Sequence, residues 1–163
     1  MYINAYLGGL IGTFIEWGFL MAFLFNLAMS INKNDRRPLI LAFIMMLSYF
    51  LSGVLELSSF HYLNWLYYDL VTIIIIVAWL KLKQHPIFYA AIYILIGLLL
   101  NSFLMLSIYI DIFVYDNTTP WLLWTIYSLG VNSIDIMMIL ALLLNKDFLK
   151  LGALVSHIKA KAC

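Results

Sequence analysis

The chain has 163 residues, of which 66% are hydrophobic and 10% charged, and its formal net charge is +1. A soluble domain carries about 25% charged residues, so a water-soluble fold is excluded and lipid has to act as the solvent; the length allows one membrane domain and not two. A single cysteine, Cys163, excludes both an intrachain disulfide framework and a redox thiol pair.

A hydrocarbon core of about 30 Å needs roughly 20 apolar residues of helix. Five stretches meet that length: 5–30, 38–57, 62–81, 87–110 and 120–145. The first fifteen residues contain no Lys or Arg. The first stretch therefore lacks the basic leader of a cleavable signal and is expected to remain as a helix. Ile31 to Pro38 reads INKNDRRP, the most polar segment of the chain. Pro38 suits the first turn of the second helix, where a missing N–H costs nothing. Glu56 to Asn64, ELSSFHYLN, is the least polar boundary. Lys81 to Pro86 (KLKQHP) and Asp116 to Pro120 (DNTTP) separate the remaining spans, each ending in a proline placed to start the next helix. The fourth and fifth stretches are long enough to tilt. Residues 147–163 are too short and too charged to span. Phe148, Leu151, Val155 and Ile158 recur at helical spacing among lysines, which predicts a short amphipathic helix lying on the inner leaflet.

All nine Lys and Arg fall in three places: Lys33, Arg36 and Arg37; Lys81 and Lys83; and the residues from Lys146 to Lys161. With five spans these segments share one side. Positive charge stays cytoplasmic, so the N-terminus is expected outside and the C-terminus in the cytoplasm, in the cytoplasmic (inner) membrane of a bacterium. Tyr2, Tyr6, Tyr62, Trp65, Tyr109, Tyr115 and Trp121 fall at predicted outer helix ends, where amphipathic rings anchor at the interface. The sequon-like Asn117-Thr118-Thr119 reads as a turn.

Polar groups within the spans should face protein or water, and here they form stripes. Gly8, Gly12 and Glu16 lie at i, i+4, i+8 in the first helix, a spacing that permits close helix approach. Ser48, Ser52 and Glu56 repeat it in the second. Asp69 and Thr72 share a face in the third, Tyr93, Gly97 and Asn101 in the fourth, and Ser128, Asn132 and Asp135 in the fifth. At 1.5 Å of rise per residue, Glu16, Asn101, Asn132 and Asp135 fall near mid-depth, Ser52 and Asp69 further out, and Glu56 near the outer surface. Converging stripes would enclose an acidic cavity biased outward, with no Lys or Arg at that depth. Two readings follow. In one, Glu16, Ser52, Glu56, Asp69, Asn101, Asn132 and Asp135 bind or conduct a cation, a proton or a small cationic ligand. In the other, the acids are hydrogen-bonded structural groups in a non-transporting assembly subunit. His61, near Glu56 and Asp69 in sequence, is a weak candidate metal ligand.

The HExxH, GxSxG and phosphate-loop signatures are missing, and no enzyme activity is expected. No histidine is placed to ligate heme inside the bundle, and no cofactor or nucleic acid is expected. Five helices enclose little space, so a complete pore calls for a homo-oligomer or other membrane subunits. Span count, length and aromatic richness resemble the tryptophan-rich sensory, or translocator, proteins; the paired-Pro and Trp motifs of that family are missing here, and the chain is not assigned to it.

Overall fold

In the computed structural model, residues 5–31, 35–55, 60–83, 88–147 and 149–151 are described, with side chains from residue 8 onward. They form five helices: α1 (Ala5–Ser30), α2 (Arg37–Val54), α3 (His61–Leu82), α4 (Tyr89–Tyr109) and α5 (Leu122–Leu144). All five are long and apolar enough to cross a membrane, as an integral membrane protein requires, and no strand occurs among the described residues.

The boundaries follow local chemistry. Pro38 sits in the first turn of α2, where its ring fits and its missing N–H is not needed. That helix ends at Val54, ahead of the expected 57, because Leu55 is extended. Beyond Tyr109, α4 runs on into a π-helical turn, Ile110–Val114. Asn145 closes α5 in the left-handed conformation at φ 47°, a role Asn tolerates better than most residues. Pro120 is not in the first turn of α5, as its position suggested. The helix starts two residues later, because Trp121 is held extended as its indole Nε1–H donates to Asp111 Oδ2 at 2.9 Å. The same carboxylate accepts from Trp124 Nε1 at 2.9 Å and from Asn117 Nδ2 at 3.1 Å. Asp111 thereby organises the whole connection from α4 to α5. The expected interfacial helix falls mainly on residues 152–163, outside the described residues.

Short connections make consecutive helices antiparallel, and each helix packs against its neighbours in chain order. The fifth packs back on the first, so the five close into a ring. The described bases (Arg36, Arg37, Lys81, Lys83, Lys146 and Lys150) consequently share one end of the bundle, and His61, Asp111 and Asp116 the other. Large apolar side chains point outward, with Phe14 70% and Phe103 68% exposed, as a lipid-facing surface requires.

Toward the basic end the interior is solid. Phe19, Met45, Ile76, Ile94, Leu98 and Met138 are fully buried there. Helix association in lipid relies on van der Waals packing, because apolar surface gains little by leaving a hydrocarbon solvent. Small residues permit that contact. A Cβ placed on Gly97 would lie 2.6 Å from Met138 Sδ, and one on Gly18 would lie 2.6 Å from Ile139 Cδ1.

Candidate functional site

Toward the acidic end the interior is hollow. A cavity of about 680 Å³ reaches from His61, at the start of α3, down to Asp135 in α5, and every helix contributes to its wall. The sequence-predicted residues Glu16, Ser52, Asp69, Asn101, Asn132 and Asp135 all line it, as does His61. Glu56 lies outside the described residues. Polar residues from all five helices thus meet in a single chamber.

Its two deep carboxyls are held differently. Asp135 is 5% exposed, and its Oδ1 accepts hydrogen bonds from Tyr49 Oη at 2.5 Å and Asn101 Nδ2 at 2.7 Å. That cluster ties α2 and α4 to α5. Asp69 is 8% exposed and lines the same chamber, yet it makes no side-chain hydrogen bond among the described residues. Asn101 turns its amide toward Asp135, which leaves its buried Oδ1 without a donor among the described residues. Glu16 stands at the exposed edge of the chamber. Its Oε1 lies against Gly53 of α2, 3.1 Å from where a Cβ would sit.

The neutral polar groups are largely satisfied. Thr72 Oγ1 donates to the Tyr68 carbonyl at 2.7 Å, so Ser48 Oγ must be the donor in its 2.5 Å contact with Thr72. Ser52 Oγ donates to the Tyr49 carbonyl at 2.8 Å, and Asn132 Nδ2 to the Ser128 carbonyl at 2.5 Å. Exposed hydroxyls bond back to their own helix, as Ser133 does to Leu129 outside the chamber and Thr13 to Gly9 at its wall. Such bonds make them tolerable in lipid.

Several features depart from the sequence expectation. Gly12 does not bring α1 against another helix: a Cβ there would meet nothing within 4 Å, and Gly8 and Gly12 both border the cavity. Tyr93 belongs to the opposite end, where its hydroxyl donates to Asp147 Oδ1 at 2.9 Å and accepts the Leu149 N–H at 2.6 Å. Gly97 packs on Met138 instead of lining the chamber. Tyr62 and Trp65, expected as interfacial anchors, line the chamber together with Tyr49, Tyr68 and Tyr127. Tyr62, Trp65, Asp69 and Thr72 fall at i, i+3, i+7, i+10, one face of a helix, and that spacing is the signal that could have found the aromatic wall.

Among the described residues the wall therefore carries three carboxyls, one imidazole and five aromatic rings, with no Lys or Arg. A carboxylate in a low-dielectric interior needs a proton, water or a cation to offset the lost hydration, and none of the described Lys or Arg lines the chamber to serve. Arg37, at the other end, is paired with Asp35 at 2.7 Å. No group of three or more His, Cys, Asp or Glu able to hold a metal ion forms among the described residues; the His61 ring packs against Trp65 at 5.2 Å. No protein-family model matches the chain, and neither the curated proteins nor the solved structures yield a match.

Proposed function

We propose that this chain binds a cation, a proton or a small cationic ligand in its acidic chamber and conducts it as an oligomer or as one subunit of a membrane complex. The observation that carries this reading is the meeting of Glu16, Asp69 and Asp135 in one cavity whose wall holds no Lys or Arg among the described residues. The chamber faces the outside in this reading. The bases gathered at the far end favour a cytoplasmic C-terminus and an external N-terminus, in a bacterial cytoplasmic membrane. The solid layer around Phe19, Met45 and Met138 closes the chamber toward the basic end, so conduction requires that layer to part, whereas binding does not.

A second reading draws on the two hydrogen bonds to Asp135 Oδ1. Here the acids fasten helices and the protein is a non-transporting assembly subunit. Proton and alkali-cation flux in proteoliposomes decides between them, comparing the wild type with Glu16→Gln and Asp135→Asn. Loss of flux in both variants, with helical circular dichroism retained, is the expected result. Flux no greater than in protein-free vesicles, or flux unchanged in both variants, would sink the transport reading and leave the structural one. Reporter fusions at the two termini test the orientation, which fails if both report the same side.

A further inference from the structure

The chamber combines features that a bare ion does not need. Its volume of about 680 Å³ lies in the range that encloses an organic ligand, about 300–1,000 Å³. An alkali or divalent ion would use only a small part of it, and a divalent ion would also want six or more oxygen ligands in a shell. Three of the five lining rings gather toward the mouth. Tyr62 and Tyr127 meet edge to face with centroids 5.7 Å apart, which joins α3 to α5, and Trp65 lies one helical turn below Tyr62. Aromatic rings attract a cation held within about 6 Å of the ring centre, most strongly when the charge is weakly hydrated. Beneath them is Asp69, more than nine-tenths buried and without a hydrogen-bond partner among the described residues. Beside Asp135, Asn101 Oδ1 is a second acceptor lacking a donor among the described residues. An aromatic mouth above a carboxyl that lacks a hydrogen-bond partner among the described residues suits a ligand with one positive nitrogen and a hydrocarbon body.

Resting on the cation-binding reading above, we infer that the chamber is a site for a monovalent organic cation, an alkyl- or aryl-ammonium. Its charged nitrogen lies at Asp69, and its apolar body lies against Tyr62, Trp65 and Tyr127. Asp135 is already engaged by Tyr49 and Asn101 and completes the negative field without being the primary partner. Selection over sodium and potassium follows from hydration: a small ion loses a tight water shell on entering, and an ammonium with alkyl substituents loses little.

The test uses the full chain in lipid nanodiscs, titrated with benzyltriethylammonium chloride by calorimetry against empty nanodiscs. Tryptophan fluorescence gives a second readout, because Trp65 lines the chamber. Sodium chloride, potassium chloride and neutral benzyl alcohol are the comparison solutes. Saturable binding by the ammonium alone is expected. Asp69→Asn should weaken it at least about tenfold. Trp65→Leu should weaken it by about three- to tenfold and remove the fluorescence change; it also decides the matter if Asp69→Asn loses its helical signal. Binding that benzyl alcohol reproduces, or that neither substitution alters, overturns the inference. So does an absence of ammonium binding while proteoliposomes still pass protons or alkali cations, in which case the cation reading survives alone. With neither binding nor flux, both fall. Ammonium binding without flux supports the inference and limits the protein's function to reception.

Discussion

The basic end and the acidic end of the bundle are built from the same five helices, but they differ in what each helix points inward. At the basic end Phe19, Met45, Ile76, Leu98 and Met138 are fully buried in the centre, and Gly18 and Gly97 let neighbouring side chains press against the backbone. At the acidic end the inward positions carry Gly12, Ser52, Asp69, Asn132 and a set of tyrosines, and a cavity remains. Lipid supplies no strong drive to close such a space, since exposing apolar side chains to hydrocarbon costs little. The solid half can therefore hold the ring together while the hollow half stays open. Stability resides mainly at one end and binding chemistry at the other.

The largest expected effect comes from placing the same bulk in each half. Gly97→Leu forces a side chain into Met138 and Ile134, where even a Cβ would stand 2.6 Å from Met138 Sδ. Overpacking a filled core costs about 1–3 kcal/mol and occasionally more, and a full leucine side chain at this contact should fall at the upper end. Gly12→Leu adds the same atoms where nothing lies within 4 Å of a Cβ. Replacing a helical glycine also recovers about 1 kcal/mol of backbone entropy, so the stability of this variant should stay within about 1 kcal/mol of wild type. Unfolding followed by circular dichroism in mixed micelles measures both. Equal destabilisation by the two substitutions would mean that the acidic end is packed after all. The Gly12 variant should also block the chamber to benzyltriethylammonium.

A smaller difference separates the two deep acids. Asp135→Leu removes the acceptor for Tyr49 and Asn101. Hydrogen bonds between membrane helices are worth about 0.6 kcal/mol on average and up to about 1.7, so the loss should be about 1–2 kcal/mol. Asp69→Leu breaks no side-chain hydrogen bond among the described residues and removes an unmatched buried polar group. It should leave stability unchanged or raise it by up to about 1 kcal/mol. The same unfolding measurement applies. An equal loss for both acids would show Asp69 to be as structural as Asp135, and the chamber would lose its free carboxyl.

The five spans were legible because hydrocarbon demands long apolar runs, and the acids of the chamber were legible because Gly12/Glu16, Ser48/Ser52 and Ser128/Asn132/Asp135 recur at helical spacing. How each span is rotated was harder to read. A helix that is apolar all round gives little periodicity to orient it, so Tyr62 and Trp65 could be placed at the interface as readily as inside. Gly12 is the clearest case. Small residues at i, i+4 serve a helix contact or a vacant space equally well, and only the positions of the other four helices choose between them. Pro120 failed as a helix start because a distant carboxylate, Asp111, holds Trp121 back. Tyr93 shares a helical face with Asn101 but stands eight residues away, about 12 Å along the axis, which carries it past the chamber into the solid half.

Tyr93 offers the finest test of how separate the two halves are. Its hydroxyl fastens the chain beyond α5 to α4, through Asp147 Oδ1 and the Leu149 N–H, and Asn145 adds an acceptor for the Ala90 N–H at 3.4 Å. Tyr93→Phe keeps the ring, which is fully buried, and removes only the hydroxyl. A hydrogen bond of this kind is worth about 0.5–1.5 kcal/mol. Amide exchange at Leu149 should therefore speed up by roughly 2- to 10-fold as the local tie opens more often. Exchange at Asp69 and Thr72 should not change, and neither should benzyltriethylammonium affinity, because no hydrogen bond of the chamber reaches Tyr93 among the described residues. Faster exchange along α3, measured by hydrogen–deuterium exchange on the same sample, would mean that the solid end and the hollow end open as one unit.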